Sequence, residues 1–314
     1  MKNFQLSART AADIDAQVLK VLRGLGNPEP PLDLRVAREL LKLDRVFYST
    51  TDDNVLRETV SHLRIAGLQV LKRPMLLVEA VRSWNLKALY LPDQRRILID
   101  QGLPPIKHRW NEAHEIGHDI IPWHAGMMLG DNDQTLTAAC RAQMEAEANL
   151  AAGRLLFLAD RFVEEANSNP PTISSVQSLA KRFGNTITST LWRFVEQSHT
   201  FTPMVGLVSG HPHPSKWKDD FDPAKPFRHH VQSPAFALRF GEVSDVKLFA
   251  AISAYSAPRR GGELGTSDVP LSDVNGQVHV FHFETFFNGH DALTLGVWIS
   301  SLERSFTTMK VMGE

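Results

Sequence analysis

Two histidines four positions apart constrain this chain more than any other feature, in the stretch His114-Glu115-Ile116-Gly117-His118. On an α-helix, residues i and i+4 share one face, so both imidazoles can reach one ion. Glu115 lies beside that position, where its carboxylate can meet a water molecule on the ion. This pattern is the HExxH zinc signature. Because so short a pattern also arises by chance, the surrounding sequence has to support it.

Composition sets broad limits. The chain has 314 residues, which predicts two or three domains, and its formal net charge of −1 gives no global reason to bind nucleic acid or a membrane. Cys140 is the only cysteine, so no internal disulfide can form and a reducing, cytoplasmic location is expected. The sequence has neither an apolar signal region at its start nor an apolar run long enough for a membrane span.

The segment before the signature is predicted to be a scaffold of helices and strands. Apolar periodicity predicts helices over 8–25, 32–43 and 53–66, and short strands over 45–49 and 75–78. We expect these elements to build the core rather than to carry chemistry.

A β-hairpin is predicted just before the signature. Strand patterns over 87–91 and 95–100 flank Pro92-Asp93-Gln94, which is a favourable turn sequence. An exposed edge of this hairpin could hold an extended peptide by β-augmentation. The alternative is a hairpin that only builds the sheet.

The signature helix is predicted to begin at Pro104-Pro105, because proline suits the first turn, and to end at Pro122. Its apolar positions recur at helical spacing and should pack inward, so that the histidines face a cleft. These positions are Ile106, Trp110, Ala113, Gly117 and Ile121. Glycine inside a helix costs about 1 kcal/mol relative to alanine, so Gly117 indicates a close approach by a partner helix or by substrate.

A catalytic zinc ion usually has three protein ligands, and Glu145 is the candidate for the third. It lies on a predicted helix over 137–158, after a loop long enough to turn that helix back antiparallel. Asn149, one turn later, is a candidate hydrogen-bond partner for a ligating histidine. Glu147 points about 200° away from Glu145 and should be solvated or paired. The alternative is that Glu145 is an ordinary surface carboxylate.

Two stretches together resemble the ImmA/IrrE family of bacterial HExxH metallopeptidases. The first is Arg109-Trp110-Asn111-Glu112-Ala113-His114-Glu115-Ile116-Gly117-His118, and the second runs from Glu145-Ala146-Glu147-Ala148-Asn149 to Leu155-Leu156. The resemblance covers about residues 28–197. Leu150 stands where the family usually has phenylalanine, which alters packing but removes no chemical group that the mechanism needs.

The resemblance implies an α+β fold in three parts. These are a zincin-like metallopeptidase domain over 1–160, a helix-turn-helix-like segment over 161–200 and a C-terminal α+β sensory domain over 201–314. The last part is similar to the GAF-like domain of IrrE-type proteases by its position alone. Arg193 is the single arginine on the expected second helix of the middle segment, so phosphate neutralisation would be poor and direct DNA binding is not expected.

The C-terminal third is predicted to be α+β or mostly β, with room for a small-molecule or protein signal. Its strand-like patterns cover 204–208, 236–240, 247–255, 277–287 and 293–300. Solvated loops are expected to carry the paired histidines rather than a second metal site, and these are His211, His213, His229 and His230. His279 and His282 are expected on a half-exposed strand.

The site implied by the resemblance is that of a gluzincin-type zinc endopeptidase. Its metal ligands would be His114, His118 and Glu145, with Mn²⁺ as an alternative to Zn²⁺. Glu115 would be the catalytic base, taking a proton from water and returning it to the leaving amine. His124 and Tyr90 are candidates for the donor that stabilises the oxyanion.

The substrate implied by the resemblance is a helix-turn-helix transcriptional repressor, cleaved after a stress or mobile-element signal. The alternative is a non-proteolytic, zinc-containing regulatory module that binds a repressor or an antitoxin-like partner. A DNA-binding regulator is a third hypothesis, which the near-neutral charge disfavours.

Overall fold

The computed structural model describes residues 6–48, 88–91, 95–124 and 138–302, in two compact units, Met1–Phe162 and Val163–Glu314. The helix predicted over 53–66, the strand predicted over 75–78 and the hairpin turn at 92–94 lie outside the described residues. Within the described ranges, no helix combines the length and the hydrophobicity needed to cross a membrane.

The described part of the first unit combines helices with a small sheet. Its elements are α1 (Ala8–Gly24), α2 (Leu34–Leu41), β1 (Asp44–Tyr48), β2 (Ala88–Leu91), β3 (Arg96–Asp100), α3 (Pro105–Ile120) and α4 (Ala138–Leu156). The bounds predicted over 8–25, 32–43, 45–49 and 137–158 are confirmed to within two residues. Pro105 occupies the first turn of α3, as its fixed backbone angle favours.

The described strands of the first unit form a mixed sheet in the order β1-β3-β2. β1 runs parallel to β3, whereas β2 runs antiparallel to it, with Tyr90 opposite Ile97. This pairing confirms the strands of the predicted hairpin. Ile97 and Ile99 of the central strand are fully buried, and β2 forms the edge of the described sheet.

A buried carboxylate fastens α3 to its neighbours. Glu112 of α3 accepts hydrogen bonds from Arg38 Nε at 2.5 Å and from Arg45 Nη1 at 2.7 Å. Only 3% of Glu112 is exposed, so the two guanidinium groups compensate a charge that would otherwise be costly to bury. The contact joins α2 and β1 to the helix that carries the signature.

The close approach of α3 and α4 depends on Gly117. A Cβ atom at this position would lie 2.8 Å from the carbonyl oxygen of Ala148 and 3.3 Å from Cβ of Ala151. The expectation of a nearby partner helix is therefore confirmed, and that helix is α4. Ala113 is buried as predicted, but Trp110 is 37% exposed, so its inward assignment is wrong.

The second unit contains an antiparallel five-stranded sheet in the order β5-β4-β8-β7-β6. After α5 (Asp160–Asn167), which crosses the unit boundary, its elements are α6 (Ile173–Phe183), α7 (Ile187–Gln197), β4 (Met204–Ser209), β5 (Phe227–Gln232), α8 (Pro234–Phe240), α9 (Asp245–Tyr255), β6 (Gly262–Ser272), β7 (Val278–Phe287) and β8 (Ala292–Ser301). The strands predicted over 204–208, 277–287 and 293–300 are confirmed.

Helices cover both faces of this sheet at β4. Val205 and Leu207 share a core with Phe236 of α8 and with α9. Gly206 faces the opposite side, where a Cβ atom would lie 3.0 Å from Cγ2 of Val195 in α7. Successive residues of β4 therefore alternate between two helical layers, and the strand is buried throughout.

Two segments predicted as strands are helices. Residues 236–240 lie in α8, and 247–255 lie in α9. Ser233 caps α8 by accepting a hydrogen bond from the Phe236 N–H at 3.2 Å. Phe236 and Phe240 are both fully buried, because residues four apart share a helix face.

A three-residue turn joins α6 to α7. Gly184 ends α6 with φ of 66°, and Thr186 caps α7 by accepting a hydrogen bond from the Ser189 N–H at 3.1 Å. The helix-turn-helix-like and GAF-like identities stay predictions, as do the domain bounds at 160 and 200.

Candidate metal centre

Helices α3 and α4 bring three predicted ligands together. The Nε2 atoms of His114 and His118 lie 3.3 Å apart. Oxygen atoms of Glu145 lie 3.1 Å from His114 Nε2 and 3.7 Å from His118 Nε2. One ligand atom from each of the three residues lies within 4.8 Å of the others. The i, i+4 spacing places both histidines on one face of α3, and α4 supplies the carboxylate opposite them.

Asn149 orients the ring of His114. Its Oδ1 atom lies 3.0 Å from His114 Nδ1. An amide oxygen only accepts hydrogen bonds, so Nδ1 carries a proton, and in the neutral ring Nε2 keeps a lone pair directed at the other two candidate ligands. Asn149 follows Glu145 by one turn of α4, so one helix supplies a candidate ligand together with the acceptor that positions another.

His118 is held by a second histidine and a buried carboxylate. Nδ1 of His118 lies 3.0 Å from Nδ1 of His124, and Nε2 of His124 lies 2.8 Å from Glu147 Oε2. Glu147 can only accept from His124 Nε2–H, which leaves His124 Nδ1 as an acceptor for His118 Nδ1–H. The lone pair of His118 Nε2 is therefore also directed at the centre.

Glu147 is buried at the end of this chain of contacts. It was expected to be solvated or paired, and it is paired: Trp123 Nε1 donates to it at 2.6 Å and Gln143 Nε2 at 2.8 Å. Only 1% of Glu147 is exposed. The available signal was its place on α4 among Ala146 and Ala148, whose small side chains allow close packing at this face.

Glu115 lies on the face of α3 that meets β2. It is 6% exposed, and the backbone N–H of Tyr90 donates a hydrogen bond to its carboxylate. Burial raises the pKa of Glu115 to about 7, and the negative charge of Glu145 acts in the same direction. A carboxylate with such a pKa is suited to general base chemistry near neutral pH.

The three candidate ligands differ in how their protons are held. Burial lowers the pKa of His118 to about 3, with a further lowering by the charge of His114. Burial also opposes protonation of His114, but its hydrogen bond to Glu145 and the charge of Glu115 raise its pKa overall. The same hydrogen bond lowers the pKa of Glu145. The pKa shifts of His114 and Glu145 show that a positive charge between these two groups is electrostatically favoured, and a cation bound there would be stabilised in the same way.

The structure places His124 and Tyr90, the two candidates for an oxyanion donor, in other contacts. Both ring nitrogens of His124 are engaged, and they face His118 and Glu147 rather than the side of His118 that carries Nε2. The Tyr90 hydroxyl donates to Asp119, and Tyr90 is only 4% exposed. Neither group is therefore placed as an oxyanion donor, and each instead positions a residue of the signature helix.

The arrangement fits a zinc ion by its donor set. Two imidazole nitrogens and one carboxylate oxygen are the ligands of many catalytic zinc sites, which keep a further position for water. Asn149 and His124 supply the outer hydrogen bonds that such histidines usually make. The tautomers fixed by these contacts are those that metal binding through Nε2 requires.

A comparison with known protein families also supports a metal site in this part of the chain. Residues 66–194 match a peptidase family model described as the IrrE N-terminal-like domain. The resemblance to the ImmA/IrrE family is confirmed. The segment that matches this family contains the whole signature, Glu145 and Asn149, and it continues through α6 into α7. No curated protein sequence matches the chain significantly.

The fold is also similar to a solved structure titled "Mycobacterium tuberculosis transcriptional regulator". The TM-score is 0.51 and the sequence identity 14%, over 92% of this chain and 76% of that chain. At this identity the likeness shows a shared fold. It extends beyond the segment that matches the family model, because it covers nearly the whole chain.

Proposed function

We propose that this chain is a gluzincin-type zinc endopeptidase that cleaves a helix-turn-helix transcriptional repressor. The observation that carries the proposal is the convergence of His114 Nε2, His118 Nε2 and the Glu145 carboxylate, with Glu115 buried beside them. The family match supports metallopeptidase chemistry. Zinc is the metal that best suits the donor set, and Mn²⁺ is the alternative.

The protein residues divide the catalytic work. A bound zinc ion supplies Lewis-acid polarisation and makes water a stronger acid near neutral pH. Glu115 accepts a proton from the attacking water and returns it to the leaving nitrogen, for which a pKa of about 7 is suitable. Asn149 and the His124–Glu147 pair keep the rings of His114 and His118 in the required orientation.

The edge of β2 is the proposed docking position for an extended peptide. Among the described strands, β2 pairs with β3 alone. The Tyr90 N–H points at Glu115, so the backbone of this edge borders the proposed base. A substrate segment added to β2 would present its peptide bonds near Glu115 and the ligand atoms. This geometry favours an endopeptidase that recognises an unfolded or exposed segment.

A second candidate is a non-proteolytic metal-containing module that acts by binding a repressor or an antitoxin-like partner. The likeness to a protein titled as a transcriptional regulator gives it support, although that likeness shows the fold alone. Both candidates predict bound metal and a repressor complex, but peptide-bond cleavage is predicted by the first alone.

The two candidates are separated by incubating metal-loaded protein with a helix-turn-helix repressor encoded beside its gene. The first predicts discrete repressor fragments in mass spectra, no fragments from Glu115→Gln, and none after chelation. The second predicts intact repressor in all three samples, in a stable complex with the two metal-loaded proteins. A Glu164→Gln variant is the matched control, because Glu164 lies on α5 and outside the proposed site.

A further inference from the structure

A cavity of about 820 Å³ opens at one end of the second unit's sheet. At this end β4 and β7 finish while β5, β6 and β8 begin, as the pairs Ser209 with Ala292 and Phe287 with Gly262 show. Its walls are the loop between β4 and β5, the segment before β6 and the turn between β7 and β8. The volume is in the range of small-molecule sites.

The lining of this cavity is strongly cationic. It contains six lysines and arginines, Lys216, Lys218, Lys225, Arg228, Arg259 and Arg260. The lining itself includes two carboxylates, Asp220 and Asp222, whereas the chain as a whole has a net charge of −1. Such an uneven distribution focuses a positive potential in the concavity and favours an anionic ligand.

Within the part of the chain that the structure describes, most of these cations have no carboxylate partner. Arg228 forms an ion pair with Asp291. Among the described residues, Lys216, Lys218, Lys225 and Arg260 form no ion pair. These side chains are exposed, so solvent screens their mutual repulsion, but their charges add in the concavity and attract anions. The lining therefore indicates a ligand that carries more than one negative charge.

An anchored aromatic ring lies in the same wall. Trp217 is 40% exposed, and its indole N–H donates to the Pro212 carbonyl at 3.0 Å. The ring centroids of Trp217 and Phe221 lie 4.6 Å apart, and those of Phe221 and the buried Phe249 lie 5.3 Å apart. The ring is thus fixed on one side and accessible on the other. Fixed, accessible indole rings are suitable platforms for stacking a planar base.

The cationic loops are held in place before any ligand binds. His211 Nε2 donates to the Arg259 carbonyl at 2.9 Å, and His211 Nδ1 accepts from the His213 N–H at 3.1 Å. Burial lowers the pKa of His211, so the neutral ring that makes both contacts persists at neutral pH. Phe287 packs against this ring with the centroids 4.8 Å apart. The loop after β4 is therefore tied to the segment before β6.

We propose that this cavity binds a nucleoside polyphosphate, with its phosphates on the lysines and arginines and its base stacked on Trp217. Several unpaired cations favour a multiply charged group, and the adjacent fixed indole favours a planar one. The cations surround one concavity rather than following a track, which favours a mononucleotide over a nucleic-acid strand. The site lies in the second unit and goes beyond the proposed peptidase function.

The test is calorimetric titration of the full chain with ATP, GTP, adenosine, inorganic tripolyphosphate and a ten-residue oligo-deoxythymidine. We expect saturable binding of at least one of the two nucleotides, at least tenfold tighter than binding of tripolyphosphate or adenosine. Tripolyphosphate that binds as tightly as both nucleotides would overturn the stacking assignment. Tighter binding of the oligonucleotide, or no binding of either nucleotide, would overturn the proposal.

Charge-reversal variants locate the binding. Lys225→Glu combined with Arg260→Glu should raise the Kd of the bound nucleotide at least tenfold. Trp217→Leu should raise the nucleotide Kd severalfold and leave tripolyphosphate binding unchanged. Lys247→Glu is the matched control, because Lys247 is an exposed cation of α9 outside this cavity. An equal loss in the control, or none in the double variant, would contradict the site, and thermal unfolding checks that each variant is folded.

Discussion

The Nδ1 atoms of His118 and His124 lie 3.0 Å apart, in a chain of contacts that ends at the buried Glu147. Glu147 accepts a hydrogen bond from His124 Nε2–H, so His124 Nδ1 must accept from His118 Nδ1–H. This leaves Nε2 of His118 unprotonated. His118, one of the three candidate metal ligands, is thus oriented by His124 and Glu147, which are not candidate ligands themselves. Burial, which lowers the pKa of both histidines, maintains this neutral arrangement.

His124→Leu is predicted to weaken zinc binding by about 10- to 100-fold, because His118 loses the acceptor that fixes its tautomer. His124→Asn, which retains a donor and an acceptor, should restore part of the affinity. Competition with a chromogenic chelator at pH 7.5 measures the Kd. Trp123→Phe is the control, since it removes a donor to Glu147 and leaves the two histidines in contact. Unchanged affinity in folded His124→Leu would exclude the positioning role.

Asn149→Leu is predicted to reduce zinc affinity about tenfold, because His114 loses its hydrogen-bond acceptor. Asn149→Asp keeps an acceptor at the same place, so its affinity should equal or exceed that of the wild type. The same chelator competition compares the three proteins. If Asp and Leu weakened binding equally, the orientation of His114 would not depend on this contact.

Gly117→Ala is predicted to destabilise the protein by about 1–3 kcal/mol, because the new methyl group would collide with the backbone of α4. Zinc affinity should fall as well, since Glu145 moves with α4. Urea unfolding and chelator competition measure the two effects. Gly24→Ala is the control, because its Cβ would meet only the flexible end of Leu40. Equal stability of both variants would contradict the close packing of α3 and α4.

The metal-free protein is predicted to lose stability through Glu115 as the pH rises. Its folded-state pKa of about 7 exceeds the usual value of 4.5, so this contribution is fully present below pH 4.5 and is lost as the pH rises through 7. Relative to wild type, Glu115→Gln should therefore gain about 3 kcal/mol in unfolding free energy over this window. Urea unfolding with a chelator present measures it, and parallel pH profiles would contradict it.

The helix carrying the signature and its partner could be predicted because their information is local. Spacing of four residues places His114 beside His118, and Glu145 before Asn149, whatever surrounds them. Gly117 indicated that another element packs closely against this helix, but only the structure identifies that element as α4. The contact between His124 and Glu147 could not be predicted, because it joins residues from separate elements through their side-chain directions.

In the C-terminal third, the strands wrongly predicted over 236–240 and 247–255 are short apolar segments, and periodicity alone does not distinguish a strand from a helix in such segments. Phe236, Leu238 and Phe240 alternate as in a strand, yet Phe236 and Phe240 also share a helix face, and Leu238 is 79% exposed. The capping Ser233 before Pro234 was the signal for a helix. β5 and β6 escaped prediction because both are edge strands with many polar residues, and β6 contains Pro270, which edge strands tolerate.

The most direct test of the central claim measures repressor cleavage and metal content on the same sample of Glu115→Gln. This variant is expected to bind stoichiometric zinc and to cleave the repressor about a thousandfold more slowly, because the ligand atoms remain and only the base is lost. Glu145→Gln should instead lose both zinc and cleavage. If zinc-loaded Glu115→Gln cleaved the repressor at the wild-type rate, Glu115 would not be the catalytic base.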